Sequence, residues 1–387
     1  MKIKSLKAGL IFMTAVAMIC SCKESYVPPT PVGGTTNNLV VEGMINVSAD
    51  STVIRLSRTV KLTDTTSVKP ELNAQLSVEN DAGATYNLTS LGKGRYYATG
   101  HPLPSTSKYR LRIKTADGKT YLSDYVEAKI SPPIDSVSWK AFSDRIEIYA
   151  TTHDPNKAST YYKYDYTDAW EFHAAFQSQL KVVGSTIVTR NLPADDIFTC
   201  WSNSSSTLIN LASSAKLSQD VIYQNRVNTI PSDAEKISVR YSILVKQRVL
   251  TKEEFDFWTN LQKNTEKLGS IFDAQPSVLS GNIHNINDAN EVVVGYVTAG
   301  TEATQRIFIN RSQLPISYHK ADPNHCATDS LLYYNPLSGI HEVQEYILTN
   351  QQIPISGFNL PAQGIIGAPP ICADCTLRGT KAKPSYW

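Results

Sequence analysis

The sulfur atoms carry most of the chemistry available to this chain. Cys22 ends the tetrapeptide Ile19-Cys20-Ser21-Cys22, which resembles the bacterial lipobox. An aliphatic residue stands three positions before the cysteine and a small one directly before it, and a thiolate is nucleophilic enough to take a diacylglyceryl group. Cys20 fits badly, because Met18 and Ile19 precede it. Cys20 leaves with a leader and Cys22 goes to lipid, so Cys200, Cys326, Cys372 and Cys375 remain. An even number in an exported chain implies two disulfides, with three pairings open. The Cys372-Ala373-Asp374-Cys375 spacing also invites a redox reading, which needs the first sulfur at a helix N-terminus. Its flanks, Pro369-Pro370-Ile371 and Thr376-Leu377-Arg378-Gly379, start no helix. A zinc site from these cysteines, with or without His325, lacks a second CxxC knuckle, and an oxidising compartment favours disulfides.

Other reactive side chains assemble no known constellation. His341-Glu342-Val343-Gln344-Glu345 begins like a zinc-protease motif, but Glu345 replaces the second histidine. The seven histidines, at 101, 153, 173, 284, 319, 325 and 341, are scattered, and His319 with His325 reads as surface rather than ligand. Asp154-Pro155-Asn156 and Asp195-Asp196 need further oxygens to hold calcium and read as turns. No G-x-S-x-G elbow, P-loop or G-x-G-x-x-G occurs. No catalytic residue, metal or cofactor is therefore assigned. Carboxylate pairs for glycoside hydrolysis leave no local trace, so an extracytoplasmic hydrolase acting on glycans or peptides stands as an alternative.

The elements that must position these residues start with an address. Lys2, Lys4 and Lys7 precede the uncharged run Ala8 to Ile19, the n- and h-regions of a signal peptide over 1–21. As a helix that run reaches roughly 18 Å, well short of a hydrocarbon core of about 30 Å. Residues 22–38, rich in Pro, Gly, Thr and Asn, read as a tether. The whole chain has 37 basic and 35 acidic residues among 387. Without the leader lysines 34 face 35, and nothing supplies the positive field that nucleic-acid binding requires.

The rest reads as mainly β. From Leu39 to about Ile130, short alternating runs (39–45, 52–56, 75–79, 85–88, 109–114, 119–125) are broken by turns such as Asn80-Asp81-Ala82-Gly83 and Asp117-Gly118. That spacing predicts an immunoglobulin-like antiparallel sandwich over 39–131, closed by Pro132-Pro133, and a β-rich domain over 132–387. In the latter, runs 135–139 and 145–150 alternate, and Thr160 to Phe176 sets Tyr162, Tyr164, Tyr166, Trp170, Phe172, Ala174 and Phe176 on one face, with Asp168 the exception. These rings read as core; a ligand platform would need them exposed. One amphipathic helix is predicted over about 251–268. Thr251 and Glu254 form its capping box, Leu250 staples onto Phe255, Phe255, Trp258, Leu261 and Leu268 form its core stripe, and Gly269 stops it. Glu291 to Thr298 and Arg306 to Asn310 read as buried strands, and the terminal Tyr386-Trp387 as a last piece of core.

Several strings carry a resemblance: Leu39-Val40-Val41-Glu42-Gly43, Ser131 to Val137 (SPPIDSV), Tyr241 to Gln247 (YSILVKQ), Phe257-Trp258, Gly269 to Asp273 (GSIFD), Gly281-Asn282-Ile283, and the ending Cys372-Ala373-Asp374-Cys375 with Lys383 to Trp387 (KPSYW). In this order they resemble the DUF4249 family of Bacteroidetes lipoproteins, of unknown function, with no defined catalytic residues. The resemblance implies an accessory lipoprotein for a TonB-dependent nutrient receptor. The expectation is a non-enzymatic protein on the outer membrane, anchored through Cys22, with the receptor and a nutrient ligand as partners and either membrane face open. A structural cell-envelope protein is the third reading.

Overall fold

Strand β1 (Leu39–Asn46) begins where the polar linker gives way to alternation, with Leu39, Val41 and Ile45 buried and Val40 and Glu42 on the opposite face. The computed structural model describes residues 37–60, 68–100, 102–266, 281–359 and 362–387. The expected leader, Cys22, most of the tether, His101, Leu268 and Gly269 lie outside these residues. After β1 come β2 (Thr52–Arg58), β3 (Lys69–Pro70), β4 (Gln75–Asn80), β5 (Thr85–Gly92), β6 (Arg95–Ala98), β7 (Lys108–Lys114), β8 (Thr120–Ser123) and β9 (Val126–Lys129). Antiparallel pairing runs β1-β2-β6-β5-β4-β7, and the Asn80–Gly83 turn closes the β4–β5 hairpin with Gly83 at φ +88°. Ile45, Ile54, Leu56, Tyr96, Tyr109 and Tyr121, each at most 1 % exposed, fill the interior.

Past Pro133 the second unit begins with β10 (Ile134–Ala141), β11 (Arg145–His153), β12 (Tyr161–His173), β13 (Leu180–Val183), β14 (Thr186–Thr189), β15 (Thr199–Ser205), β16 (Asn210–Ser213), β17 (Val221–Pro231) and β18 (Arg240–Leu250). Its spine is the antiparallel pair β12–β18, in register from Tyr161 opposite Leu250 to Glu171 opposite Arg240. Tyr162, Tyr164, Tyr241, Ile243 and Val245 turn to one face, where they share a core with Ile146 and Ile148 of β11 and Ile230 of β17. The aromatic face of β12 is therefore core and not a platform. Asp168 is tolerated there because its acceptors are satisfied: Ser204 N and Oγ donate to Oδ1 at 3.1 and 2.6 Å, and Lys236 Nζ and Tyr241 Oη to Oδ2 at 2.8 and 3.0 Å.

Helix α1 (Lys252–Glu266) follows at once. Thr251 Oγ1 accepts from Glu254 N at 3.2 Å, but the Glu254 carboxylate turns inward, where it accepts from Trp258 Nε1 at 3.1 Å, so the capping box is half made. The predicted core stripe is half-buried; Glu254 and Phe257 are the buried residues. Phe255 packs on Tyr161, ring centroids 4.8 Å apart.

The chain then returns to the first unit, although sequence assigned this stretch to the second. β19 (Ile283–Asn285) pairs with β8, and β20 (Thr298–Gly300) lies parallel between β1 and β9. Because β9 also pairs with β7, the path β7-β4-β5-β6-β2-β1-β20-β9 closes on itself in a barrel-like sheet, where a purely antiparallel sandwich of 39–131 was expected. Of the predicted strand 291–298 only Val294, bridged to Val40, and Thr298 pair, because Gly295 breaks the run at φ +138°. The two crossings between units are tied together: Ser131 N donates to Thr301 Oγ1 at 2.9 Å, and Ser131 Oγ donates to Thr301 O at 2.7 Å and accepts from Val249 N.

β21 (Ala303–Asn310) then joins the edge of β18, and β22 (Asp329–Leu332), β23 (Ile353–Phe358) and β24 (Gly364–Ala368) form a small sheet in the order β22-β24-β23. Contrary to the sequence reading, Pro370 does start a single helical turn, α2 (Pro370–Ala373), at the position where a missing N–H costs nothing. Cys372 and Cys375 do not face each other as a redox pair. Cys375 bonds Cys200, and Cys372 bonds Cys326, with Cα separations of 5.7 and 5.6 Å. The Tyr386-Trp387 end docks on the outer surface of the β12–β18–β21 sheet rather than in the core. Trp387 Nε1 donates to Glu171 Oε2 at 3.1 Å, its ring meets Phe308 edge-on, and Tyr386 stays 46 % exposed.

Non-reducing peptide mapping should find the pairs 200–375 and 326–372. Replacing both members of either bridge by alanine should lower stability by about 2–5 kcal/mol in denaturant unfolding; free thiols at these positions would contradict the pairing.

Candidate ligand-binding cleft

The face of the β12–β18 pair opposite the tyrosines is charged, and it looks toward the first unit. Register sets Lys163 beside Arg248 and Asp165 beside Lys246. Against this face stand β1, the Val294–Tyr296 segment and α1, leaving a cleft of about 530 Å³ between the units, a size that houses small-molecule ligands. Two glycines let its wall form. A Cβ on Gly43 would come within 2.4 Å of Val53 O and one on Gly295 within 2.2 Å of Val41 O, and both have left-handed φ.

Asp165 is tied to Lys163, whose Nζ lies 2.6 and 2.5 Å from its two oxygens. Burial opposes ionisation of Asp165, but Lys163 and Arg248 outweigh it and hold its pKa below the usual carboxylate range. Burial, reinforced by Arg248, pushes the Lys163 ammonium down. Lys163 also sits 4.8 Å over the Trp258 ring. On the helix, Glu254 is 1 % exposed and its Oε2 has no hydrogen-bond partner among the described residues. Burial pushes its pKa up to about 7, with Arg248, Trp258 and Lys163 offsetting only part of that.

The residues singled out from sequence lie elsewhere. The four cysteines staple the C-terminal segment. His319 Nδ1 contacts Ser317 O and His341 Nδ1 contacts Tyr333 O, both on the surface. Glu342 accepts from Leu332 N and Asn335 Nδ2, Asp154 from Asn156 N and Ala158 N, and Asp195 from Lys181 and Asn191 N; these are turn-capping roles. No three His, Cys, Asp or Glu side chains among the described residues gather as metal ligands. Lys163, Asp165, Lys246, Arg248 and Glu254 were missed. For the four strand residues the signal is alternation, charge between apolar residues in both long strands, and what sequence lacks is the register that makes them neighbours; Glu254, on the helix, was read only as a cap.

These features define a mainly β, disulfide-linked protein of two β units with a mixed charged and apolar cleft between them. A family model described as a domain of unknown function, DUF4249, matches residues 23–306, and the chain belongs to that family. The matched stretch ends before the terminal cysteine pair and the Lys383–Trp387 ending. No curated protein matches the chain. Among solved structures, the Yersinia pseudotuberculosis adhesin InvE is similar at 12 % identity over 55 % of this chain and 57 % of that one, less than two thirds of the adhesin, with a TM-score of 0.14, at which the likeness carries no argument.

The raised Glu254 pKa has a sign that can be measured. The folded state holds a proton more tightly than the unfolded chain, so stability from this group is full below the unfolded carboxylate pKa and falls as pH rises toward about 7. Glu254→Gln removes that loss. The variant should melt above the wild type at pH 8 and close to it at pH 4.5; a difference independent of pH would refute the burial account.

Proposed function

We propose that this protein is a non-enzymatic binding lipoprotein of the outer membrane, acylated at Cys22, that holds a ligand in the cleft between its units and serves a TonB-dependent nutrient receptor. The observation that carries this reading is the cleft itself, whose wall is the first strand after the tether. A lipid-anchored N-terminus therefore leads directly into a cleft wall. Two or three acyl chains, at about 0.8 kcal/mol per buried methylene, hold such a protein without a membrane helix. No helix among the described residues is long and apolar enough to cross a membrane.

A hydrolase acting on glycans or peptides is the second reading, because Glu254 and Asp165 have pKa values moved in opposite directions, as in an acid and base pair. Glu254 does not line the cleft, however, and Asp165 is occupied by Lys163. An activity screen that finds turnover lost in Glu254→Gln and Asp165→Asn would replace the binding reading.

Metabolic labelling with a clickable fatty acid should mark the wild type and not Cys22→Ala, which should leave the membrane fraction. A barrel receptor should co-purify from detergent-solubilised outer membranes. An unlabelled wild type, or consistent absence of any barrel, would sink the proposal.

A further inference from the structure

We infer that the end of the first unit at which the tether enters is a membrane-contact face, seating the protein on an anionic phospholipid surface through three aliphatic side chains and a group of unpaired cations. This deepens the outer-membrane reading and rests on it only in taking Cys22 as the anchor.

The entry point is fixed. Thr59 Oγ1 accepts from Asn37 N and Asn38 N at 3.1 and 2.9 Å, Lys69 Nζ donates to Asn37 Oδ1 at 3.1 Å, and Arg58 donates to Asn37 O at 3.3 Å. Cys22 lies fifteen residues upstream of Asn37, and that length of chain spans at most about 50 Å. An acylated sulfur therefore keeps this end of the barrel-like sheet within that reach of the headgroups. The crossings to the second unit leave from the other end. Leu39 stands opposite Arg58 where β1 begins, whereas Gly300, just before Thr301, pairs with Asn46 where β1 finishes. A bilayer meets the first end without meeting the clasp at the second.

At the tether end, two loops share the edge of β2. Leu56 N donates to Gly94 O at 2.8 Å and Leu56 O accepts from Glu71 N at 3.1 Å, so the β5–β6 turn and the segment after β3 lie side by side. Pro70 Cβ is 3.1 Å from where a Cβ on Gly94 would stand. The turn is a two-residue loop, Lys93-Gly94, with both residues at positive φ, the geometry of a tight hairpin. It holds Lys93 out at a fixed tip.

The charge of this corner is one-sided. Arg55, Arg58, Lys69, Lys93 and Arg95 stand against two acids: Glu71, held by Arg58 at 2.5 Å, and Glu42, which faces Arg55 across the β1–β2 ladder. The corner is therefore three positive. The hairpin and loop across the same end carry Lys114 and Lys119 against Asp117, Asp288 and Glu291, which leaves the whole described end two positive. Register places Arg55 directly opposite Arg95, a like-charge pair that costs stability in a bare sheet and is relieved by anions. Among the described residues no ion pair engages Arg55, Lys93 or Arg95, and all three are exposed.

Aliphatic side chains are interleaved with these cations. Val68 precedes Lys69 and is 56 % exposed, Leu72 follows Glu71 at 48 %, and Leu91 precedes the Lys93 turn at 52 %. Cations that meet phosphates beside aliphatics that enter the acyl boundary are what interfacial binding needs. The three aliphatics are separated by charged residues, which suits a fluid layer better than the continuous apolar core of a protein interface. Binding of this kind is weak beside acyl chains, so the face orients an anchored protein rather than holding a free one.

The test uses the mature chain from residue 22 with Cys22→Ser, which takes no acyl group, in flotation with vesicles of phosphatidylcholine and of an equal mixture with phosphatidylglycerol. Partition onto the mixed vesicles should exceed that onto phosphatidylcholine about tenfold or more and fall as salt is raised. Lys93→Glu with Arg95→Glu, both on the outside of the sheet, should remove about tenfold or more of it. Leu72→Ser with Leu91→Ser should lower binding to both vesicles. Equal partition on the two vesicles, no partition on either, or partition indifferent to the paired glutamates would each overturn the inference. The first two outcomes read the unaltered face, so a variant that misfolds does not shelter it. Because this chain lacks the lipid, the result is independent of the labelling experiment: vesicle binding without acylation of the wild type sinks the anchor and leaves the face, and acylation without vesicle binding does the reverse.

Discussion

The rest of the molecule hangs on the register of one strand pair. β12 and β18 meet over eleven consecutive residue pairs, and because side chains alternate faces, a slip of one residue would exchange their two surfaces. One surface is apolar and closes the core of the second unit; the other carries Lys163, Asp165, Lys246 and Arg248. The large rings make the choice of register strongly one-sided, since tyrosines such as Tyr162, Tyr164 and Tyr241 are fully buried and each contributes on the order of 1.5–3 kcal/mol on burial. The charged side is therefore positioned by the hydrophobic one. A strand pair stabilised on one face can carry a cluster of charges on the other.

The junction between units has a matching logic. Two crossings run side by side, and Ser131 bonds to both Thr301 and Val249, so the outgoing chain, the returning chain and β18 share a clasp. α1 is fastened to the same place through Phe257, whose ring meets Tyr296 of the returning segment. The cleft is consequently bounded by elements that are held to one another at its closed end, which favours a preformed pocket over one assembled by large domain motion.

Much of the first unit was legible in sequence because its strands obey a period of two and its turns use glycine: Leu39, Thr52, Gln75 and Thr85 begin strands where alternation begins. The helix was legible from Thr251 and Glu254, yet its orientation was not. Glu254 was read as a cap because that role is local, whereas its real partners, Trp258 one turn on and the charges of Lys163 and Arg248, include groups set by tertiary packing. The Glu291–Thr298 run has strand composition but lacks strand conformation, since Gly295 adopts a φ that a ladder does not use. The cysteine pairing and the cleft were illegible for a common reason. Both join residues far apart in the chain, and nothing local in a sequence encodes which distant strands become neighbours.

The late return of the chain into the first unit sets an order on biogenesis. β20 is the strand that joins β1 to β9, and it ends at Gly300. Until that residue has been delivered, whatever machine extrudes the polypeptide, the nascent first unit has two unpaired edges, of the kind that recruit neighbouring chains. The interval spans the synthesis of the whole β12–β18 spine. A newly made molecule thus passes through a long stage in which its second half can fold before its first half is sealed, and a chaperone that shields open strand edges would act on it during that stage.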